Sequence, residues 1–165
     1  MKNERITGRF TVRSYRILIV ILLVQLIVSC EDDIPLGTIE VSVDGSRKEF
    51  SNGAKAEWIN VEGGYGLKII GYRGTEGSSN EVSITIASPR DISTGAYTNS
   101  VAGNAVVVQF YVYLLFNFDE FTSGSATVSI SELDSSHVKG TFKASLKDSG
   151  GSTREFEDGV FNVSF

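Results

Sequence analysis

Apolar and polar residues alternate along most of the chain after residue 37, which is the pattern of β-strands with one buried face. Turn-forming pairs such as Asp44-Gly45 and Asp158-Gly159 separate or interrupt these segments. No stretch shows the 3.6-residue period of an amphipathic helix. The alternation is strictest in the C-terminal third, at Val138, Gly140, Phe142, Ala144 and Leu146.

This pattern predicts about nine short strands, in an antiparallel β-sandwich or barrel. Residues 105–118 are apolar at both odd and even positions, so we expect a central strand that is covered on both faces. A buried helix is the alternative there, although β-branched and aromatic residues favour a strand. The nine candidate strands are residues 38–43, 48–50, 54–61, 65–72, 82–86, 105–118, 128–130, 138–146 and 156–165.

A different hydrophobic segment precedes this domain. Residues 17–28 are nearly all apolar, and five basic residues precede them. As a helix this run would be about 18 Å long, which is too short for a hydrocarbon core of about 30 Å. Residues 1–29 are therefore predicted to be a cleaved secretion signal. The alternatives are an ordinary signal peptide that is cut near Ser29 and leaves a free thiol, and a tilted membrane anchor.

The signal ends in Leu26-Ile27-Val28-Ser29-Cys30, which resembles the lipobox of bacterial lipoproteins. The resemblance implies cleavage before Cys30 and acylation of its thiol, so that Cys30 anchors the mature protein to a membrane. The following Glu31, Asp32 and Asp33 resemble the surface-export signal of Bacteroidota lipoproteins. That resemblance implies display on the cell surface of the outer membrane, and a periplasm-facing lipoprotein with a solvated acidic linker is the alternative.

These assignments predict a tether at residues 30–36 and a single all-β domain at residues 37–165. The mature part carries ten basic and 19 acidic residues, a charge that disfavours nucleic-acid binding. Cys30 is the only cysteine, so the domain has no disulfide. With a single histidine, His137, the usual zinc ligands are also lacking. We expect no metal and no cofactor.

Catalytic groups are scarce. His137 closes the segment Asp134-Ser135-Ser136-His137, which is too local for a catalytic triad and predicts a turn in which Asp134 bonds the backbone. Carboxylate pairs such as Asp119 with Glu120, or Glu155 with Glu157, would suit glycoside hydrolysis if they faced each other across a cleft. Such pairs are common in an acidic protein, so we expect no enzyme.

Aromatic residues are the best candidates for binding, because flat rings stack on sugars and bury a large area. Gln109, Tyr111 and Tyr113 share one face of the same predicted strand, and Trp58 is the fourth candidate. If that face is open to solvent, it would form a platform for a glycan or a protein. In the alternative arrangement these rings pack beneath a second sheet.

Short motifs are spread over most of the mature chain: Asn52-Gly53 followed by Trp58, Thr94-Gly95-Ala96-Tyr97, Gly140-Thr141-Phe142 and Asp158-Gly159-Val160-Phe161. The pattern resembles small surface lipoproteins of the Bacteroidota type with a C-terminal all-β domain of unknown function. The resemblance implies fold and location, and it carries over no active site.

We therefore expect a noncatalytic outer-membrane lipoprotein whose domain binds an extracellular glycan or protein as an accessory module. A structural, envelope-maintaining lipoprotein without a small ligand is the first alternative. A glycoside hydrolase using two carboxylates is the second.

Overall fold

The computed structural model describes residues 34–76, 79–101, 103–113 and 118–165. Within these ranges the chain is all-β, which confirms the predicted fold class, and no helix is long and apolar enough to cross a membrane. The ten strands are β1 (Thr38–Val43), β2 (Ser46–Phe50), β3 (Asn52–Val61), β4 (Gly64–Tyr72), β5 (Glu81–Ser88), β6 (Gly95–Thr98), β7 (Ala105–Tyr113), β8 (Phe118–Leu133), β9 (His137–Lys147) and β10 (Thr153–Ser164).

The strand pairings form a closed circuit. Antiparallel ladders join β3 to β4, β4 to β5, β5 to β7, β7 to β8, β8 to β9 and β9 to β10. β10 then meets β3 at one parallel pairing, between Ser164 and Lys55. The circuit gives the sheet a barrel-like closure, with the β1–β2 hairpin paired to β10 and β6 paired to the second half of β8.

The core lies inside this circuit, because every second residue of each strand points inward. Val106, Val108 and Phe110 of β7 are at most 2% exposed. The Phe110 ring lies 5.3 Å from that of Phe156 and 6.1 Å from that of Phe50. Burial of each such side chain stabilises the fold by roughly 1.5–3 kcal/mol.

Two glycines are required by the close approach of neighbouring strands. A Cβ at Gly140 would overlap the carbonyl oxygen of Ser129 and lie 2.6 Å from Phe161 Cζ. A Cβ at Gly159 would lie 2.6 Å from the carbonyl oxygen of Phe142. The pairing of β10 with β9 shifts register between Phe156 and Gly159, which confirms the irregularity predicted at Asp158-Gly159.

The structure corrects the sequence prediction in four respects. Residues 105–118 are not one strand, because β7 ends at Tyr113 and Phe118 already begins β8. The strand predicted at residues 128–130 is only part of β8, which begins at Phe118 and continues through Ser123-Gly124-Ser125, and the four-residue strand β6 was not predicted. The expectation that the strand at 105–118 is covered on both faces is also wrong for β7, because its outer face carries half-exposed side chains. That face forms part of the outside of the barrel.

Candidate binding site

Tyrosines and glutamates alternate across four neighbouring strands on the outer face of the barrel. Tyr72 of β4 pairs with Glu81 of β5, and Glu81 pairs with Tyr111 of β7. Tyr111 then pairs with Glu120 of β8. Directly opposed residues in antiparallel strands have Cβ atoms about 4.5–5.5 Å apart, so their side chains can interact. We call Tyr72, Glu81, Tyr111 and Glu120 the Tyr–Glu row.

Glu120 is held by a local hydrogen-bond network. Its Oε1 accepts bonds from Gln109 Nε2 at 2.9 Å, from the Tyr111 hydroxyl at 3.3 Å and from Thr122 Oγ1 at 3.3 Å. Gln109 Nε2 also lies 3.1 Å from the Tyr111 hydroxyl, which can accept a second bond. The network fixes one carboxylate beside one tyrosine ring.

At the other end of the row Tyr72 is buried, with 7% exposure, and its hydroxyl donates to Glu76 Oε1 at 3.3 Å. Burial, together with the charges of Glu81 and Glu76, raises the Tyr72 pKa to about 12. Burial and the charge of Glu120 also raise the Tyr111 pKa above its ordinary value. Both hydroxyls are therefore protonated donors at neutral pH.

Glu81 stands between the two tyrosines of the row and is half-buried. Burial raises the pKa of its carboxyl group, while the charge of Lys68 acts in the opposite direction. Lys68 lies on β4, the strand next to Glu81. The centre of the row thus combines a partly desolvated carboxylate with flanking aromatic rings.

An aromatic surface continues from the row towards the β7–β8 connection. Phe118, which is 50% exposed, has its ring centroid 5.8 Å from that of Tyr111 and 6.0 Å from that of Tyr113. The Tyr113 backbone N–H donates to Asn80 Oδ1 at 3.2 Å, which ties this surface to the residue before β5. The rings of Tyr111, Tyr113 and Phe118 therefore form a partly exposed aromatic surface that begins at Tyr111 of the row.

A shallow depression of about 540 Å³ borders the row at Glu120. Phe118 and Asp119 line it on the β8 side, and Lys147 and Asp148 line it on the β9 side. Aromatic, acidic, basic and hydroxyl groups therefore surround one open space. Such a mixture suits a polar ligand that is hydrogen-bonded at its edges and stacked on its faces.

Three of the four predicted binding residues come together. Gln109, Tyr111 and Tyr113 lie on the outer face of β7, and Tyr111 belongs to the row. Trp58 is elsewhere, on β3, where its ring stacks on Phe165 with a centroid distance of 5.4 Å. Sequence reasoning missed Tyr72, Glu81 and Phe118, and it named Glu120 only as half of a carboxylate pair, because only the order and register of the strands bring these residues to this face.

The carboxylate pair Glu155 and Glu157 lines a different, open groove of about 500 Å³. Lys143 and Ser145 lie on the same groove, and Ser145 Oγ donates to Glu155 Oε1 at 2.7 Å. Asp119 and Glu120 border the depression beside the row. Among the residues that the structure describes, no three His, Cys, Asp or Glu side chains are placed to hold a metal ion.

His137 lies in the turn that the sequence predicts. Asp134 Oδ1 accepts bonds from the backbone N–H of Ser136 at 2.6 Å and from that of His137 at 3.0 Å. The imidazole lies between Asp134, 2.9 Å from Nδ1, and Glu132, 3.3 Å from Nε2, and the bond to Glu132 raises the His137 pKa. These contacts are those of a structural turn.

Compared with known proteins, the chain matches no protein-family model, no curated protein and no solved structure. The predicted signal at residues 1–29, the lipidation site Cys30 and the acidic residues Glu31, Asp32 and Asp33 lie outside the described residues.

Proposed function

We propose that this protein is a noncatalytic lipoprotein, anchored to the outer membrane through Cys30, whose domain binds an extracellular glycan at the Tyr–Glu row. The observation that carries the binding proposal is the alternation of tyrosine and glutamate across four adjacent strands. The partly exposed rings of Tyr111, Tyr113 and Phe118 supply stacking area for the apolar faces of sugar rings. Carboxylates and protonated phenols supply acceptors and donors for sugar hydroxyls.

The experiment is a glycan array probed with the full chain after processing and purification in detergent. Glycans that bind are then titrated against Tyr111→Ala, Tyr111→Phe and Glu120→Gln. Tyr111→Ala removes both ring and hydroxyl, so we expect loss of detectable binding. Tyr111→Phe keeps the ring, so we expect glycan affinity intermediate between those of the wild type and Tyr111→Ala. Glu120→Gln removes a charged acceptor that contributes about 1.5–3 kcal/mol, so we expect glycan affinity to fall roughly tenfold or more.

Tyr65→Ala is the matched control, because it removes a tyrosine that is 50% exposed but lies at the opposite end of β4 from Tyr72. Its affinity should equal that of the unmodified protein. Equal weakening by Tyr65→Ala and Tyr111→Ala would contradict a site at the row. A blank array, followed by capture of a protein partner that depends on Tyr111, would make the ligand a protein.

The anchoring part of the proposal is supported by the resemblance of residues 26–30 to a lipobox. Metabolic labelling with a palmitate analogue should mark the unmodified chain, and Cys30→Ala should lose both the label and membrane fractionation. An unlabelled wild-type chain would remove the basis for an outer-membrane location, whatever the array shows.

One observation favours the second candidate, a structural envelope lipoprotein without a small ligand. Glu120 Oε1 already accepts three hydrogen bonds from its own chain, so the row is partly self-satisfied. In that case Glu120→Gln would lower stability without changing any affinity.

A further inference from the structure

Exposed apolar side chains are concentrated at one end of the barrel. Six large hydrophobic residues are exposed in the part of the chain that the structure describes, and Phe118 lies beside the row. The other five we call the tether-end rim: Leu36 at 62% exposure, Trp58 at 53%, Tyr65 at 50%, Val101 at 49% and Phe165 at 37%.

Contacts between the β3 segment, the first residues and the last residues place the first part of the rim at one end. Trp58 stacks on Phe165 with an interplanar angle of 11°. The backbone N–H of Phe165 donates to Ser136 O, in the β8–β9 turn, at 3.1 Å. Leu36 precedes Gly37, whose N–H donates to Asn162 O at 2.7 Å, near the end of β10.

The rest of the rim lies at the same end of the strands. Tyr65 is the second residue of β4 and pairs with Ser88, the last residue of β5. Asp91, just beyond β5, interacts with the Tyr65 hydroxyl and raises its pKa. Asp91 and Val101 line one depression of about 350 Å³. The rim therefore follows the β3–β4, β5–β6, β6–β7 and β8–β9 connections and both ends of the described domain.

The chain enters the domain at this same end. Ile34 is the first described residue, and its carbonyl oxygen accepts a bond from Asn162 Nδ2 at 2.9 Å. Cys30 precedes Ile34 by four positions in the sequence. Four residues of extended chain span at most about 14 Å, so an acylated Cys30 would keep Ile34 within that distance of the lipid surface.

We propose that the tether-end rim rests in the interfacial layer of the bilayer that holds the acyl chains, so that a lipid surface is its partner. This inference rests on the lipid anchor proposed for Cys30. Trp and Tyr side chains favour the membrane–water interface, where the ring and its polar group find different surroundings, and Leu and Phe side chains bury apolar area there. The lipid surface should carry no net charge, because the mature chain has a large excess of acidic residues and is not attracted to anionic headgroups.

Contact at the rim sets the orientation of the domain. β4 runs away from the rim to Tyr72, and β5 begins with Glu81 and runs back towards it. β7 likewise ends, and β8 begins, on the side away from the rim. The Tyr–Glu row is therefore presented towards the medium, where a large ligand can reach it.

Trp58 is the only tryptophan in the chain, so its fluorescence reports the rim directly. The full chain, acylated and purified from membranes, is reconstituted into phosphatidylcholine vesicles whose acyl chains carry bromine near the headgroup. We expect the brominated vesicles to quench most of the Trp58 emission that is seen in unbrominated vesicles. The emission maximum in unbrominated vesicles should lie at a shorter wavelength than that of free tryptophan in buffer. Equal emission in both kinds of vesicle would overturn the proposal.

A matched variant moves the reporter to the other end of the barrel. Trp58→Phe combined with Phe118→Trp leaves one tryptophan at a position that is 50% exposed and beside the row. Its emission should be unaffected by bromine, and quenching at both positions would show a domain lying flat and overturn the orientation.

Flotation with the vesicles distinguishes failure of the proposed lipid anchor from failure of the proposed rim contact. A chain that floats but keeps full Trp58 emission retains its anchor and lacks rim contact. A chain that does not float lacks the anchor, and the rim contact fails with it. Glycan binding measured in detergent is independent of both outcomes.

Discussion

The two ends of the barrel use aromatic residues in different surroundings. At the row, the Tyr111 hydroxyl, the Gln109 amide and the Glu120 carboxylate are bonded to one another. At the rim, Trp58 and Phe165 stack as an exposed apolar pair. A tyrosine held in a network of amide and carboxylate groups suits a polar ligand, whereas an exposed pair of stacked rings suits lipid. The neighbours of an aromatic residue thus indicate its partner better than the residue itself.

The largest expected effect on stability comes from truncating a side chain of the hydrophobic core, which supports both ends of the barrel. Phe110 is 2% exposed and contacts three other phenylalanine rings, whereas the next residue, Tyr111, faces outward. Phe110→Ala should lower the free energy of unfolding by about 3–5 kcal/mol, and Tyr111→Ala by about 1 kcal/mol. Urea unfolding measures both. Similar losses would show that the two faces of β7 are not distinct.

A second change tests the pairing of β8 with β9. Gly140→Ala would force a methyl group against the Ser129 carbonyl oxygen and separate β8 from β9, at a cost of about 2–3 kcal/mol. Gly124→Ala is the control, because a Cβ there meets no atom within 4 Å. Thermal unfolding should separate the two variants clearly. Equal melting temperatures would mean that β8 and β9 can part without cost.

Alkaline pH should act on the row. The Tyr72 pKa is raised from 10.0 to about 12, so between these pH values the folded chain keeps a proton that the unfolded chain loses. The free energy of unfolding should therefore fall as pH rises through this window. Tyr72→Phe should make that fall shallower, as measured by urea unfolding at several pH values. An unchanged slope would place the titrating group elsewhere.

The smallest effect is expected in acid, at the rim end. Hydrogen bonds from Ser136 and His137 hold the Asp134 pKa below its ordinary value of 3.8. The stabilisation is present above pH 3.8 and is lost as the pH falls towards the lower pKa of the folded state. Asp134→Asn should therefore melt slightly below the wild type at neutral pH, with the gap closing in acid. A gap that is constant with pH would exclude the carboxylate charge as its cause.

Much of the fold could be predicted where one face of a strand is buried and the other exposed. The strict alternation at Val138, Phe142 and Leu146 predicts β9 almost to its ends. β6 was missed because Gly95–Thr98 is too short to display a period. Ser123-Gly124-Ser125 favours a turn by composition, yet it lies inside β8, because tertiary pairing with β9 overrides local preference.

The candidate site could be predicted only in part, for a related reason. Gln109, Tyr111 and Tyr113 lie on one strand, so their common face follows from alternation alone. Glu81 and Glu120 join them through pairings with β5 and β8, and Tyr72 enters through β4. The alternation of apolar and polar residues does not indicate which strands are neighbours, so a row that crosses four strands cannot be predicted from it.

The pairing of β1 with β10 determines when this domain can be completed. Ile39 of β1 lies opposite Phe161 of β10, and the pairing of β10 with β3 that closes the barrel uses Ser164. The first strand therefore cannot complete its pairing until the last strand is present. Contacts so distant in sequence form late, because a long loop must close before they are made. A chain cut before residue 153 would leave the edges of β1 and β9 without their partner, open to other chains. Premature termination should therefore produce aggregating fragments rather than smaller working domains.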